Sequence, residues 1–198
     1  TTETNCDFII NTNHIDLSND AYHGDTWMTS SNTPYYFKVK AVDYTGNVYG
    51  EDSSDAETYV FKLDNTVPNN PKGISAPQEY QRELTSFRVF WADSGASMAT
   101  DAHSQVKGYQ YRIGEDGIWY GSSHTGNQDC NDLITSTSYT LQEQFEGKEI
   151  GDELEIGENI FYIRTWDNIC NVTNIYATAI LQYSADAPSK PQNLIVDP

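Results

Sequence analysis

Apolar and polar residues alternate with a period of two in short runs along the chain. Phe37, Val39 and Ala41 alternate with Lys38 and Lys40, and Phe87, Val89 and Trp91 share one face of the run Ser86–Trp91. Gly108-Tyr109-Gln110-Tyr111-Arg112-Ile113 and Ser138-Tyr139-Thr140-Leu141 continue the same period. Turn-forming clusters separate them: Thr45-Gly46-Asn47, Pro68-Asn69-Asn70-Pro71 and Gly114-Glu115-Asp116-Gly117. No stretch combines helical periodicity with caps. Short alternating strands at regular spacing predict an all-β sandwich.

The pattern also repeats. The block from Cys6-Asp7-Phe8-Ile9-Ile10 to Leu17 aligns with the block from Cys130-Asn131-Asp132-Leu133-Ile134 to Leu141. Tyr35-Tyr36-Phe37-Lys38-Val39-Lys40-Ala41-Val42-Asp43 aligns with Asn159-Ile160-Phe161-Tyr162-Ile163-Arg164-Thr165-Trp166-Asp167. Both alignments have the same offset of 124 residues. Val67-Pro68 and Pro71 match Ala187-Pro188 and Pro191 at an offset of 120, so one loop differs by four residues. The chain therefore holds copies of one unit.

The runs at 71–74, 87–91, 108–111, 139–141 and 161–167 resemble strands A, B, C, E and F of a fibronectin type III domain. The stretch 35–47 resembles the F strand and F–G turn of the versions found in large bacterial cell-surface repeat proteins. Tandem fibronectin type III, immunoglobulin-like β-sandwiches are the fold this resemblance implies. On its register, residues 1–66 form the C-terminal half of one domain, 67–186 a complete domain, and 187–198 the first strand of a following domain. Two departures stand out. Tyr35 occupies the tyrosine-corner position, whereas its counterpart is Asn159, and the second copy carries an acidic E–F insertion from Gln142 to Glu158.

In such a sandwich the B–C, D–E and F–G loops share a pole, which brings Cys130 and Cys170 together. A disulfide between them is expected, with two buried free thiols as the alternative; a disulfide implies an oxidising, extracellular or cell-surface location. Cys6, the third cysteine, aligns with Cys130, but the counterpart of Cys170 is Gly46, so Cys6 is unpaired within residues 1–198; a partner in the missing part of its domain, an intermolecular bridge and a free thiol stay open.

The formal charge changes the picture of partners. With 11 basic and 29 acidic residues the net charge is -18, which repels phosphate backbones and anionic lipid surfaces. Nucleic acid binding is excluded, and no apolar run is long enough for membrane insertion. Hard cations remain. The shared pole collects Asp93 and Asp101, Asp129 and Asp132, and Asp167, Asn168 and Asn171, an oxygen-rich set suited to Ca2+. The opposing reading is ordinary turn chemistry, since Asp43-x-x-Gly46-Asn47 needs no ion and no loop has dedicated calcium spacing.

Catalysis is not expected. His14, His23, His103 and His124 are scattered, and no phosphate loop, nucleophile motif or Cys-x-x-Cys site is present. Trp119 and Tyr120 after strand C are candidate carbohydrate-stacking residues, with burial as the alternative; Trp91, Tyr109 and Tyr111 read as core. Asn171-Val172-Thr173 is a lone glycosylation pattern. The expected role is a non-enzymatic structural or adhesive repeat needing no cofactor beyond Ca2+. Its partners would be neighbouring domains, like subunits in a filament, or surface glycans. The alternative is a spacer or weak carbohydrate-binding module of a secreted polysaccharide-degrading enzyme.

Overall fold

The computed structural model describes residues 28–48, 57–83, 86–92, 94–123, 129–140 and 153–185. The chain divides into two compact units, Thr1–Asn65 and Thr66–Pro198. Asp93, Trp27, Cys6, His124, most of the acidic insertion and segment 187–198 lie outside the described residues.

In the first unit, β1 (Tyr35–Val39) pairs antiparallel with β2 (Glu57–Phe61), from Tyr35 opposite Phe61 to Val39 opposite Glu57. The Tyr35 and Phe61 rings stack with centroids 5.8 Å apart. None of this unit's described residues is fully buried.

The second unit is built from antiparallel strands in two sheets. β3 (Arg88–Phe90) pairs with β5 (Ser138–Thr140), while β4 (Val106–Ile113), β6 (Gly157–Asp167) and β7 (Ala177–Tyr183) form a sheet in the order β4-β6-β7. A short 3-10 turn at Gly95–Ser97 buries nothing. The leading segment joins β3 through reciprocal bonds between Ser75 and Phe90, 2.8 Å each way.

One apolar core lies between the sheets. Phe87, Val89 and Trp91 meet Tyr109, Tyr111, Ile113, Phe161, Ile163, Leu181 and Tyr183. Trp91, Tyr109 and Tyr111 are buried as the alternation requires. Tyr111 stacks on Phe161 at 5.2 Å, and Trp91 meets Tyr109 edge-on at 5.3 Å.

The corner before each long strand is closed by different chemistry in the two units. The Tyr35 hydroxyl donates to the Thr29 carbonyl (2.8 Å) and accepts from the Thr29 amide (3.1 Å). Asn159 treats Glu155 in the same way: its Nδ2 donates to the Glu155 carbonyl (2.7 Å) and its Oδ1 accepts from the Glu155 amide (2.8 Å). The shorter side chain reaches four residues back and the longer one six, so each side chain satisfies both backbone groups of one residue.

Phe161 sits at the centre of the core and is fully buried. Phe161→Ala is expected to cost about 3–5 kcal/mol, read as a lower denaturant midpoint; Ile118→Ala, at an exposed site, should change stability by less than about 0.5 kcal/mol.

Candidate functional site

Asp167 ends β6 and organises the turn that follows. Its Oδ1 accepts the amides of Ile169 (3.0 Å) and Asn171 (2.8 Å), and its Oδ2 accepts Asn171 Nδ2 (2.7 Å). The backbone closes with Asp167 N–H donating to the Asn171 carbonyl and Cys170 N–H donating to that of Asp167. The first unit builds the same turn: Asp43 accepts the amides of Thr45 and Asn47 and the Asn47 side chain, with matching backbone bonds. These hydrogen bonds hold the exposed Asp43 carboxyl down at about 2, the Asn47 side chain contributing most.

The two turns differ most sharply at their fourth position. Gly46 has φ +90° and Cys170, its counterpart, has φ +75°. Glycine takes this left-handed conformation freely, whereas a residue with a Cβ is strained there by about 1 kcal/mol. Cys170 is held by a disulfide to Cys130, with the two Cα atoms 5.5 Å apart and a separation of 40 positions in sequence. The expected bridge is present.

A second carboxylate turn abuts the first. Asp101 Oδ1 accepts the amides of His103 (2.9 Å), Ser104 (2.7 Å) and Gln105 (2.9 Å). Asn168 ties the two turns together, its Nδ2 donating to the Ser104 carbonyl (2.7 Å) and its amide to that of Gln105 (3.1 Å). The carboxylate oxygens of Asp101 and Asp167 approach within 4.8 Å. Asp101 Oδ2 is buried and accepts no hydrogen bond.

The other acidic candidates are engaged elsewhere. Asp129 accepts the Asn131 amide (2.8 Å). Asp132 is buried and accepts Ser122 Oγ (2.8 Å), the Ser123 amide (2.6 Å) and Ser123 Oγ (2.6 Å). Burial opposes its ionisation, but the hydrogen bonds from Ser123 and Ser122 together outweigh that and hold the carboxyl below the usual carboxylate range. The Asp132 carbonyl presses on Gly121, where a Cβ would lie 1.8 Å from it, so only glycine fits. Asn168 serves the turn, and Asn171 Nδ2 is committed to Asp167 and the Thr66 carbonyl.

Trp119 and Tyr120 are enclosed. They are 5% and 2% exposed, and neither presents a ring face to solvent for stacking a sugar. Trp119 is the centre of a cation–π stack on the outer face of the sheet. Arg164 lies 4.2 Å from its ring centroid and 5.2 Å from that of Trp166. Arg112 lies 4.9 Å from Trp119, 4.9 Å from Tyr162 and 5.0 Å from Tyr176. Burial lowers Arg164 to about 10, with the charge of Arg112 adding to the effect and Tyr176 opposing it. The phenol of Tyr120 donates to Glu153, and burial together with that carboxylate pushes it up.

Gln110 completes this layer and is fully buried. Its Oε1 accepts Arg164 Nη2 (2.7 Å), Arg164 Nε (3.0 Å) and Trp166 Nε1 (2.9 Å), while Nε2 donates to the carbonyls of Asp129 and Asp132, 3.1 Å each. Sequence reasoning passed over Gln110, Arg112 and Arg164. Their signal lies in the alternation itself: Tyr162-x-Arg164-x-Trp166 sits on the outer face directly across from Gln110-x-Arg112.

No protein-family model and no curated protein matches the chain. Among the described residues, no helix is long and apolar enough to cross a membrane.

Reduction of the Cys130–Cys170 bridge is expected to lower stability by about 4 kcal/mol, from the chain entropy of a loop this long. In denaturant unfolding, Cys130→Ala with Cys170→Gly should recover about 1 kcal/mol relative to Cys130→Ala with Cys170→Ala. The depressed Asp132 carboxyl gives a pH signature: its stabilisation is complete above the ordinary carboxylate value and disappears as pH falls through the folded value. Asp132→Asn should therefore flatten the acid limb of the stability profile, while a limb of unchanged steepness would contradict this role.

Proposed function

We propose that this chain is a segment of a long extracellular repeat protein, made of fibronectin type III-like sandwiches, whose task is to space, project or assemble rather than to catalyse. The observation carrying this reading is the recurrence of one turn at Asp43–Asn47 and Asp167–Asn171, where the leading aspartate accepts the same two amides and the same asparagine side chain. Repeats of this kind contact their neighbours in series and bear load along the chain. The bridge at the end of β6 supports both an oxidising location and a mechanical role.

The same pole supports a calcium-binding role. Asp101 Oδ2 is a buried acceptor without a donor, beside the Asp167 carboxylate. A hard cation would satisfy the oxygen and relieve the repulsion between the two acids. The carbohydrate-binding alternative draws no comparable support, because Trp119 is enclosed in the sheet's outer layer and Tyr120 in the core.

Calcium at a hundred times its dissociation constant should stabilise the chain by about 2.7 kcal/mol, a rise in melting temperature that Asp101→Asn abolishes and Asp129→Asn leaves intact. Equal melting temperatures with calcium and with a chelator would remove the cation from the reading. The repeat reading itself is tested by single-molecule extension, where serial unfolding peaks are expected and a single featureless extension counts against it.

A further inference from the structure

β7 is an edge that lacks the usual protection. Natural sheet edges carry charge, proline or a bulge that discourages pairing with other chains. β7 has none of these, and no charged side chain occurs from Asn168 to Ala185 in a chain of net charge -18.

One long side of β7 pairs with β6. Its other side is met near the end, where Gln81 donates to the Gln182 carbonyl (2.8 Å) and accepts from the Ser184 amide (3.0 Å). Strand alternation points the backbone groups of Thr178 and Ile180 to that same side, and no described residue of the unit bonds them there. Ile180 is 51% exposed and stands opposite Ile160, itself 45% exposed.

A groove of about 710 Å³ adjoins the start of β7, lined by residues 67–72 and 173–177 with Ala96, Met98 and Thr100, and by none from β6. It contains no carboxylate, and its one charged group is Lys72. The acidic chain thus concentrates its repulsion away from this flank, and Lys72 complements the negative field of an approaching acidic molecule.

We propose that β7 is a homotypic pairing edge, at which a second copy of the chain adds its own β7 antiparallel across a two-fold axis. A second copy is the occupant because its own uncharged stretch is the surface it can bring here without placing carboxylates together, and because an isologous contact is self-complementary. Thr178 then exchanges backbone bonds with Ile180 of the copy, and Ile180 with its Thr178. Ala179 faces its own counterpart at the axis, and Gln81, which holds the Gln182 carbonyl, ends the ladder after Ile180. The pairing goes beyond the load-bearing reading and stands or falls independently of it.

Sedimentation equilibrium of the whole 198-residue chain, carrying Cys6→Ser to exclude an unrelated bridge, tests the pairing. A concentration-dependent dimer is expected, weakened at least about tenfold by Ile180→Lys and by Thr178→Pro. Both substitutions lie on the exposed side, so thermal melts should stay close to that of the parent. Under mild oxidation Ala179→Cys should give a covalent dimer, since facing non-hydrogen-bonded residues lie about 4.5 Å apart, within disulfide reach. A chain that stays monomeric at all concentrations overturns the proposal. So does a dimer that survives both edge substitutions, or one that Ala179→Cys does not lock.

Discussion

The pole of the second unit depends on how one buried carboxamide is satisfied. Gln110 has no exposed surface and carries out two tasks at once. Its oxygen receives the guanidinium of Arg164 and the indole of Trp166, and its amide holds the carbonyls of Asp129 and Asp132. A buried guanidinium without acceptors would cost several kcal/mol, so this oxygen is what allows Arg164 to lie between two indoles. The amide in turn fixes the segment carrying Cys130 against the sheet, which sets the bridge to Cys170.

The repeated unit solves the same constraint twice with different side chains. A corner needs its backbone amide and carbonyl satisfied; a tyrosine reaching six residues does this in one copy and an asparagine reaching four in the other. A turn needs one residue at positive φ; glycine supplies it in one copy and a bridged cysteine in the other. What persists between the copies is the hydrogen-bonding requirement, not the residue type. For that reason the tyrosine-to-asparagine difference, which reads in the sequence as a departure, leaves the corner closed.

The inner face of the sandwich was legible from period-two alternation. Phe87, Val89, Trp91, Tyr109 and Tyr111 lie where that pattern puts them, and the Cys130–Cys170 bridge matches its expectation. The outer face was not legible, because alternation says which way a side chain points and not what covers it. Residues 164–167 of β6 are buried on both faces, since Trp119 and the segment holding Cys130 lie over them. The acidic residues failed to separate for a related reason. Asp129 and Asp132 direct their oxygens to nearby amides and hydroxyls, whereas Asp101 keeps one oxygen uncommitted, a distinction set by loop geometry.

The bridge has a consequence for a chain under tension. It short-circuits 40 residues, and each residue can contribute at most about 3.3–3.6 Å to a stretched chain, so oxidation withholds roughly 130–140 Å of extension. Thiol chemistry at the end of β6 therefore sets how far the unfolded unit can lengthen before its ends are taut. The second unit carries a reserve of contour that only a reductant releases.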